Sequence, residues 1–177
     1  MQSWQTASND SIIRVQRMTK HLFPLAILLL SPVLMQAQAR PDCALRPTAL
    51  AQMRRCYRPL LVFSPSGDDA RLKKQQSTLD AAADDMMDRF VLLLPIIAKP
   101  AKYQPPLDTP YELLSQKELA SIRNRFQISE NQFTVLLLGE DGTIKLRSTA
   151  PVTISRLNSL IDAMPDRKLE MQRPHAN

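Results

Sequence analysis

The chain has 177 residues, 44% apolar and 23% charged, which is enough material for one ordinary domain. Its net charge of +6 comes with only 5% aromatic residues, so the basic stripe and stacking rings of a nucleic-acid reader are missing and no nucleic-acid partner is expected. Of the two histidines, His21 lies in the N-terminal stretch read below as a signal and His175 stands near the C-terminus, so neither is placed to serve a Ser-His-Asp triad or a zinc site; triad hydrolysis, zinc chemistry, a metal and a cofactor are not expected.

In chain order, the first informative stretch is Met18-Thr19-Lys20-His21, followed by an apolar run from Leu22 to Met35 and then Ala37-Gln38-Ala39. A basic start, an apolar middle and small residues at the minus-three and minus-one positions are the layout of a secretory signal. Pro24 and Pro32 break the run, and it falls short of the roughly 20 residues needed to span a bilayer. Residues 1–39 are therefore read as an N-terminal extension and signal, with Met18 as an alternative start because residues 1–17 are polar. Export to the periplasm or the exterior is expected, with no stable membrane span after signal removal. The mature chain would begin at Arg40, keeping 20 of the 23 bases and 16 of the 17 acids, a surplus of +4. Arg54, Arg55 and Arg58 are its tight basic cluster, and a solvated face accounts for them.

Residues 40–56 form an N-terminal segment in which Ala49 to Arg55 reads as a short helix capped by Thr48. It carries both cysteines, Cys43 and Cys56. An even pair in an oxidising compartment reads first as a structural disulfide. The other reading is a redox pair, because neighbouring arginines can lower the pKa of Cys56.

Leu60 to Ser64 reads as a buried strand running into Pro65-Ser66-Gly67-Asp68-Asp69. A helical stretch follows to about Arg89, with Leu72, Leu79, Ala83 and Met86 as its apolar stripe. Asp68 and Asp69 suit its positive end. Asp84, Asp85 and Asp88 sit unfavourably near its far end. Phe90 to Ile97 reads as a central strand covered on both faces. Ala98 to Pro110 holds Pro100, Pro105, Pro106 and Pro110, and is a long exposed loop.

Ser115 to Glu118 is a capping-box pattern flanked by the staple pair Leu114 and Leu119. Leu119, Ile122 and Phe126 form the stripe of that helix. Phe133 to Leu138 is a strand, Gly139 to Gly142 a turn, and Thr143 to Arg147 an alternating strand. The last helix buries Leu157, Leu160, Ile161 and Met164 and stops at Pro165. Gly67, Gly139 and Gly142 lie at strand ends, where a turn can use positive φ. The order strand, helix, strand, loop, helix, strand, hairpin, strand, helix predicts an α/β fold. It is a thioredoxin-like three-layer sandwich, with a mixed sheet and an antiparallel edge hairpin.

Two motifs carry a family resemblance. One is Gly139-Glu140-Asp141-Gly142-Thr143-Ile144-Lys145-Leu146-Arg147. The other runs from Ile161-Asp162-Ala163-Met164-Pro165 through Asp166-Arg167-Lys168-Leu169 to Glu170-Met171. With Arg58-Pro59-Leu60-Leu61-Val62-Phe63 they resemble the domain-of-unknown-function family 4174, related to the C-terminal domains of sushi-repeat-containing extracellular proteins. The residues singled out are Gly139, Asp141, Gly142, Lys145, Arg147, Asp162, Met164, Pro165, Arg167 and Glu170. The resemblance covers about residues 57–172, leaves 173–177 as a mobile tail, and implies a thioredoxin-like or peroxiredoxin-like fold in an exported protein with no established activity.

Two departures mark the site. Where working thioredoxins carry a Cys-x-x-Cys pair, the first turn has Ser64, Ser66, Gly67, Asp68 and Asp69 and no thiol. Where they carry a cis-proline, Phe133 precedes the third strand. The expectation is a non-catalytic module that binds a protein or small-molecule partner, with that turn and the Pro100–Pro110 loop as its surface. An exported thiol oxidoreductase or peroxidase using Cys43 and Cys56 is the alternative. A third reading makes residues 166–177 a basic-leaning tail that touches a membrane or partner.

Overall fold

The computed structural model describes residues 43–172. The signal read over residues 1–39 and the tail at 173–177 lie outside the described residues. Among the described residues no helix is long and apolar enough to cross a membrane.

Four strands form one mixed sheet in the order β2-β1-β3-β4: β1 (Arg58–Ser66), β2 (Val91–Lys99), β3 (Thr134–Leu138) and β4 (Ile144–Ser148). β1 runs parallel to β2 with Leu60 beside Leu93, and antiparallel to β3 with Leu61 beside Leu136. β4 closes the sheet as an antiparallel hairpin on β3. Because successive strand side chains point to opposite faces, the apolar runs supply two cores at once. Leu60, Val62, Leu93, Val135 and Leu137 pack with Leu72 and Leu79 of α1 (Ala70–Asp80), Met86 of α2 (Ala83–Asp88), and Leu157 and Ile161 of α4 (Ile154–Asp162). Leu61, Phe63, Leu92, Leu94 and Leu136 pack with Ile122 and Phe126 of α3 (Gln116–Phe126) and with Leu50 and Met53 of a 3-10 turn (Leu50–Met53). This is the three-layer α/β arrangement expected from the order of elements.

Several local expectations are corrected by tertiary contacts. β2 is covered on both faces, as its composition requires, but it is an edge strand. Pro95 within it is tolerated there because an edge needs no inter-strand N–H on its outer side. Part of that edge is covered by the loop: the Leu93 N–H donates to the Pro110 carbonyl, and the Glu112 N–H donates to the Leu93 carbonyl. Phe90 is outside the strand, half exposed at φ +52°.

The long helix to Arg89 is two helices. No residue there disfavours helix, since Ala81, Ala82 and Ala83 are the best formers. The break falls where the Asp80 carboxylate accepts hydrogen bonds from the loop: the Leu107 N–H at 3.0 Å, the Thr109 N–H at 3.0 Å and the Thr109 hydroxyl at 2.6 Å. The break also gives Asp84 and Asp85 a favourable place, because they occupy the first turn of α2, at its positive end.

Thr48 caps no helix. The 3-10 turn starts after Ala49 without a side-chain cap, and the Thr48 N–H donates to Gln52 instead. Ser115 caps α3 as expected, but Glu118 does not reach back to it. Its carboxylate accepts the Leu50 N–H at 2.9 Å and so pins the N-terminal segment to α3. Pro165 ends α4 and also begins a further helix, α5 (Pro165–Met171), at the first helical position where proline fits. Residues 166–171 are thus helix rather than tail. Of the three glycines only Gly142 has positive φ, at +75°. Gly67 is needed for a close approach of backbone.

Candidate functional site

The turn at the C-terminal end of β1 is built from residues that satisfy one another. Ser64 is fully buried, and its hydroxyl donates to the Ser66 carbonyl at 2.8 Å. The Ser66 hydroxyl donates to Asp68 at 2.6 Å. Asp69 is the N-cap of α1, accepting the Arg71 N–H at 2.8 Å, and its carboxylate also grips the Arg71 guanidinium at 2.6 and 3.0 Å. The Gly67 N–H donates to the Lys99 carbonyl. A Cβ on Gly67 would lie 2.6 Å from the Tyr103 nitrogen and 2.7 Å from the Ala101 oxygen, so the proline-rich loop is seated directly on the turn. The two stretches expected to form one surface do meet, and they close on each other.

Electrostatics agree with this reading. The hydrogen bond from the Ser66 hydroxyl holds the Asp68 carboxyl below the ordinary carboxylate range, and the Arg71 guanidinium does the same for Asp69. Both are ionised at neutral pH, so neither is poised as a proton donor. Behind the turn, Arg123 of α3 donates to the carbonyls of Ser64 at 3.3 Å, Ile96 at 2.8 Å and Ser129 at 3.2 Å, and lies over the Phe63 ring. Burial pushes its pKa down. Phe133 is buried in the position of the expected proline, under the Arg71 guanidinium 4.9 Å from its ring centre. An apolar ring and two occupied arginines fill the corner.

Two side chains with no local sequence signal anchor the surrounding loops. Buried Gln75 donates to the Val152 carbonyl at 3.1 Å and accepts the Val152 N–H at 2.6 Å, fixing the approach to α4. Gln76 donates to the Tyr103 hydroxyl at 3.1 Å, and burial pushes the Tyr103 pKa up. A glutamine on an exposed helix reads identically from sequence.

The cysteines lie at the other end of β1. Cys43 and Cys56 form a disulfide, with Sγ–Sγ 2.07 Å and Cα–Cα 5.6 Å. β1, nine residues and about 26 Å long at the usual rise, carries the cysteines near its start and the turn at its end. The pair is a bridge and lies far from the corner where thioredoxin chemistry takes place.

The family-motif residues also gather at that far end. Gly139 and Gly142 shape the β3–β4 turn, Asp141 accepts from Lys145 at 2.8 Å, and the Arg54 guanidinium lies against Gly142 and donates to the Asp141 carbonyl at 2.9 Å. The Lys145 ammonium lowers the Asp141 carboxyl to about 2. Arg147 donates to the Phe126 carbonyl, tying β4 to α3. Glu170 receives both guanidinium nitrogens of fully buried Arg58, at 3.0 and 3.2 Å, and Glu140 pairs with the same arginine at 3.3 Å. Arg167 joins Glu170, Asp88 and Asp162, and Arg89 joins Asp162 at 2.9 Å. Met164 is buried just before Pro165. The sequence singled out most of these residues as a signature; the structure makes them an ionic clamp between β1, α2, the β3–β4 turn, α4 and α5.

An open cleft of about 550 Å³ lies at the α1–α2 corner, lined by Asp80, Ala81–Ala83, Asp84, Asp85, Met87 and Asp108. A much smaller one lies beside Arg54, Pro59, Arg125 and Gly142. Neither includes a residue of the 64–69 turn.

A βαβ unit joined by a helix to a β-hairpin and a closing helix, with its first turn at the head of α1, defines a thioredoxin-like domain, here one with no thiol at that turn. Solved structures share that fold. The chain matches Plasmodium yoelii thioredoxin peroxidase I at 18% identity and TM-score 0.50, over 72% of this chain and 84% of that one. It matches the reduced 2-Cys peroxiredoxin of Plasmodium vivax at 18% identity and TM-score 0.51, over 68% and 84%. No curated protein matches the chain. A family model, the domain of unknown function DUF4174, matches residues 49–170, and the chain belongs to that family.

Proposed function

We propose that this is an exported, non-catalytic thioredoxin-like module that binds a partner through the joined surface of the first turn and the proline-rich loop. One observation carries the reading. The corner that would hold a nucleophile is occupied by Ser64, Gly67 and Phe133, with the side chains of Ser64, Ser66, Asp68 and Asp69 all hydrogen-bonded locally. Thiol chemistry needs an accessible thiolate, and among the described residues no cysteine is free. A rigid surface suits binding, because groups already ordered lose little freedom on association. The Asp80 clamp provides that rigidity while Leu107 at its tip stays 89% exposed.

The test uses protein purified from the export compartment without reductant. Free-thiol titration, insulin reduction and peroxide consumption are measured on the native protein and on C56S. No free thiol and no turnover above buffer are expected. Turnover that disappears in C56S would instead establish the oxidoreductase reading. For the binding surface, L107A and K102A are expected to weaken partner association while leaving the unfolding midpoint unchanged.

A further inference from the structure

α5 is docked the opposite way from an ordinary surface helix. Such a helix turns its apolar stripe inward and its charges outward. Of the seven residues of α5 only Arg167 is buried, while Leu169 and Met171 are 58% and 49% exposed. Its inward face is ionic: Arg167 meets Asp88, Asp162 and Glu170, and the Glu170 carboxylate meets Arg58. A helix of this length does not persist in water without tertiary contacts. Its docking therefore rests on those ion pairs.

We propose that α5 is an acid-released latch, one that undocks and unwinds about Met164–Pro165 while the sheet and α1–α4 stay folded. The sign follows from the chemistry of the groups. Guanidinium groups keep their charge at any accessible pH, whereas carboxylates lose theirs in acid. The carboxylates facing the three arginines come from every element packed there: Glu140 from the β3–β4 turn, Asp85 and Asp88 from α2, Asp162 from α4 and Glu170 from α5 itself. Protonating them leaves Arg58, Arg89 and Arg167 as crowded cations without their counter-charges, held by neutral acceptors such as the Arg89, Asp85 and Asp88 carbonyls. The Nε atoms of Arg58 and Arg167 are buried without a hydrogen bond even in the docked state, although Arg167 Nε lies 3.6 Å from Asp162. An unpaired buried charge costs more than a lost apolar contact, so the helix held by these charges leaves first. Release uncovers the Arg58 guanidinium and gives the protein a cationic surface it lacks when docked.

The test is backbone NMR of the oxidised protein between pH 7 and about pH 3, comparing helical shifts of residues 166–171 with those of α4. The undocked population of α5 is expected to rise at least about tenfold, the effect of losing one charged hydrogen bond, with α4 and β1 unchanged. E170Q should show the same release at pH 7, and D88N, which removes a more exposed partner, a smaller release should E170Q fail to fold. The double variant L169A/M171A should leave docking unchanged. The proposal fails if α5 melts only together with the sheet, or if removing Leu169 and Met171 loosens it as much as E170Q does.

Discussion

Replacing Gly67 by alanine tests the closed corner through the sign of the effect. Gly67 does not have positive φ, so an alanine there meets no backbone penalty. In open space the substitution would stabilise the fold by about 0.4–1 kcal/mol, because the unfolded chain loses freedom. The structure predicts the opposite. The new Cβ would stand 2.6 Å from the Tyr103 nitrogen and 2.7 Å from both the Ala101 oxygen and the Tyr103 Cα, and all three are backbone atoms. To reach an ordinary 3.4 Å contact, the loop must retreat by about 0.8 Å, and Gln76 and the Pro100 carbonyl hold Tyr103 in place. Overpacking of this kind costs about 1–3 kcal/mol, which outweighs the entropic gain. Urea unfolding followed by circular dichroism should give a lower midpoint with an unchanged slope, and hydrogen exchange should speed up in residues 100–104. A neutral or stabilising G67A would refute the seating of the loop on the turn, and with it the closed corner.

Asp80 gives a pH-dependent prediction. Burial pushes its carboxyl up, but the Thr109 hydroxyl and the amides of Leu107, Thr109 and Asp108 together hold it below the usual value. A depressed folded pKa contributes stability above the unfolded value of about 4, which is lost as pH falls through the folded one. Native protein should therefore exceed D80N in stability at pH 7, with the two curves converging below about pH 3 by urea titration. K145M should raise the Asp141 pKa from about 2 toward the ordinary carboxylate value of 3.8 by NMR titration, while changing stability by less than about 1 kcal/mol because the pair is solvent-exposed. Removing the disulfide with C43S/C56S should cost about 3 kcal/mol on the chain-entropy account for a bridge spanning 13 positions, read as a lowered melting temperature.

Much of the frame was legible because its signals are local. The runs Leu60–Phe63, Val91–Leu94 and Val135–Leu138 are too apolar to lie on a surface, and Ser115 and Gly142 mark a cap and a turn by their own chemistry. That the first turn carries no thiol was legible too, since no cysteine stands between Leu60 and Asp69. What was missed depended on partners distant in the chain. Pro95 was the one available sign that β2 is an edge. Asp80 breaks a helix in a run of alanines by binding loop amides 27 to 29 positions away. Glu118 has a capping-box position and serves Leu50, 68 positions earlier. Arg58 reads as a strand-entry charge and is the centre of a clamp reaching Glu170.

The order and type of the elements followed from the sequence itself, because periodic burial and the chemistry of turns act over a few neighbouring residues. Which face each acid and arginine serves was decided only by the tertiary structure. Charges act through space, and folding brings Arg58, Glu140, Arg167 and Glu170 together from the two ends of the domain.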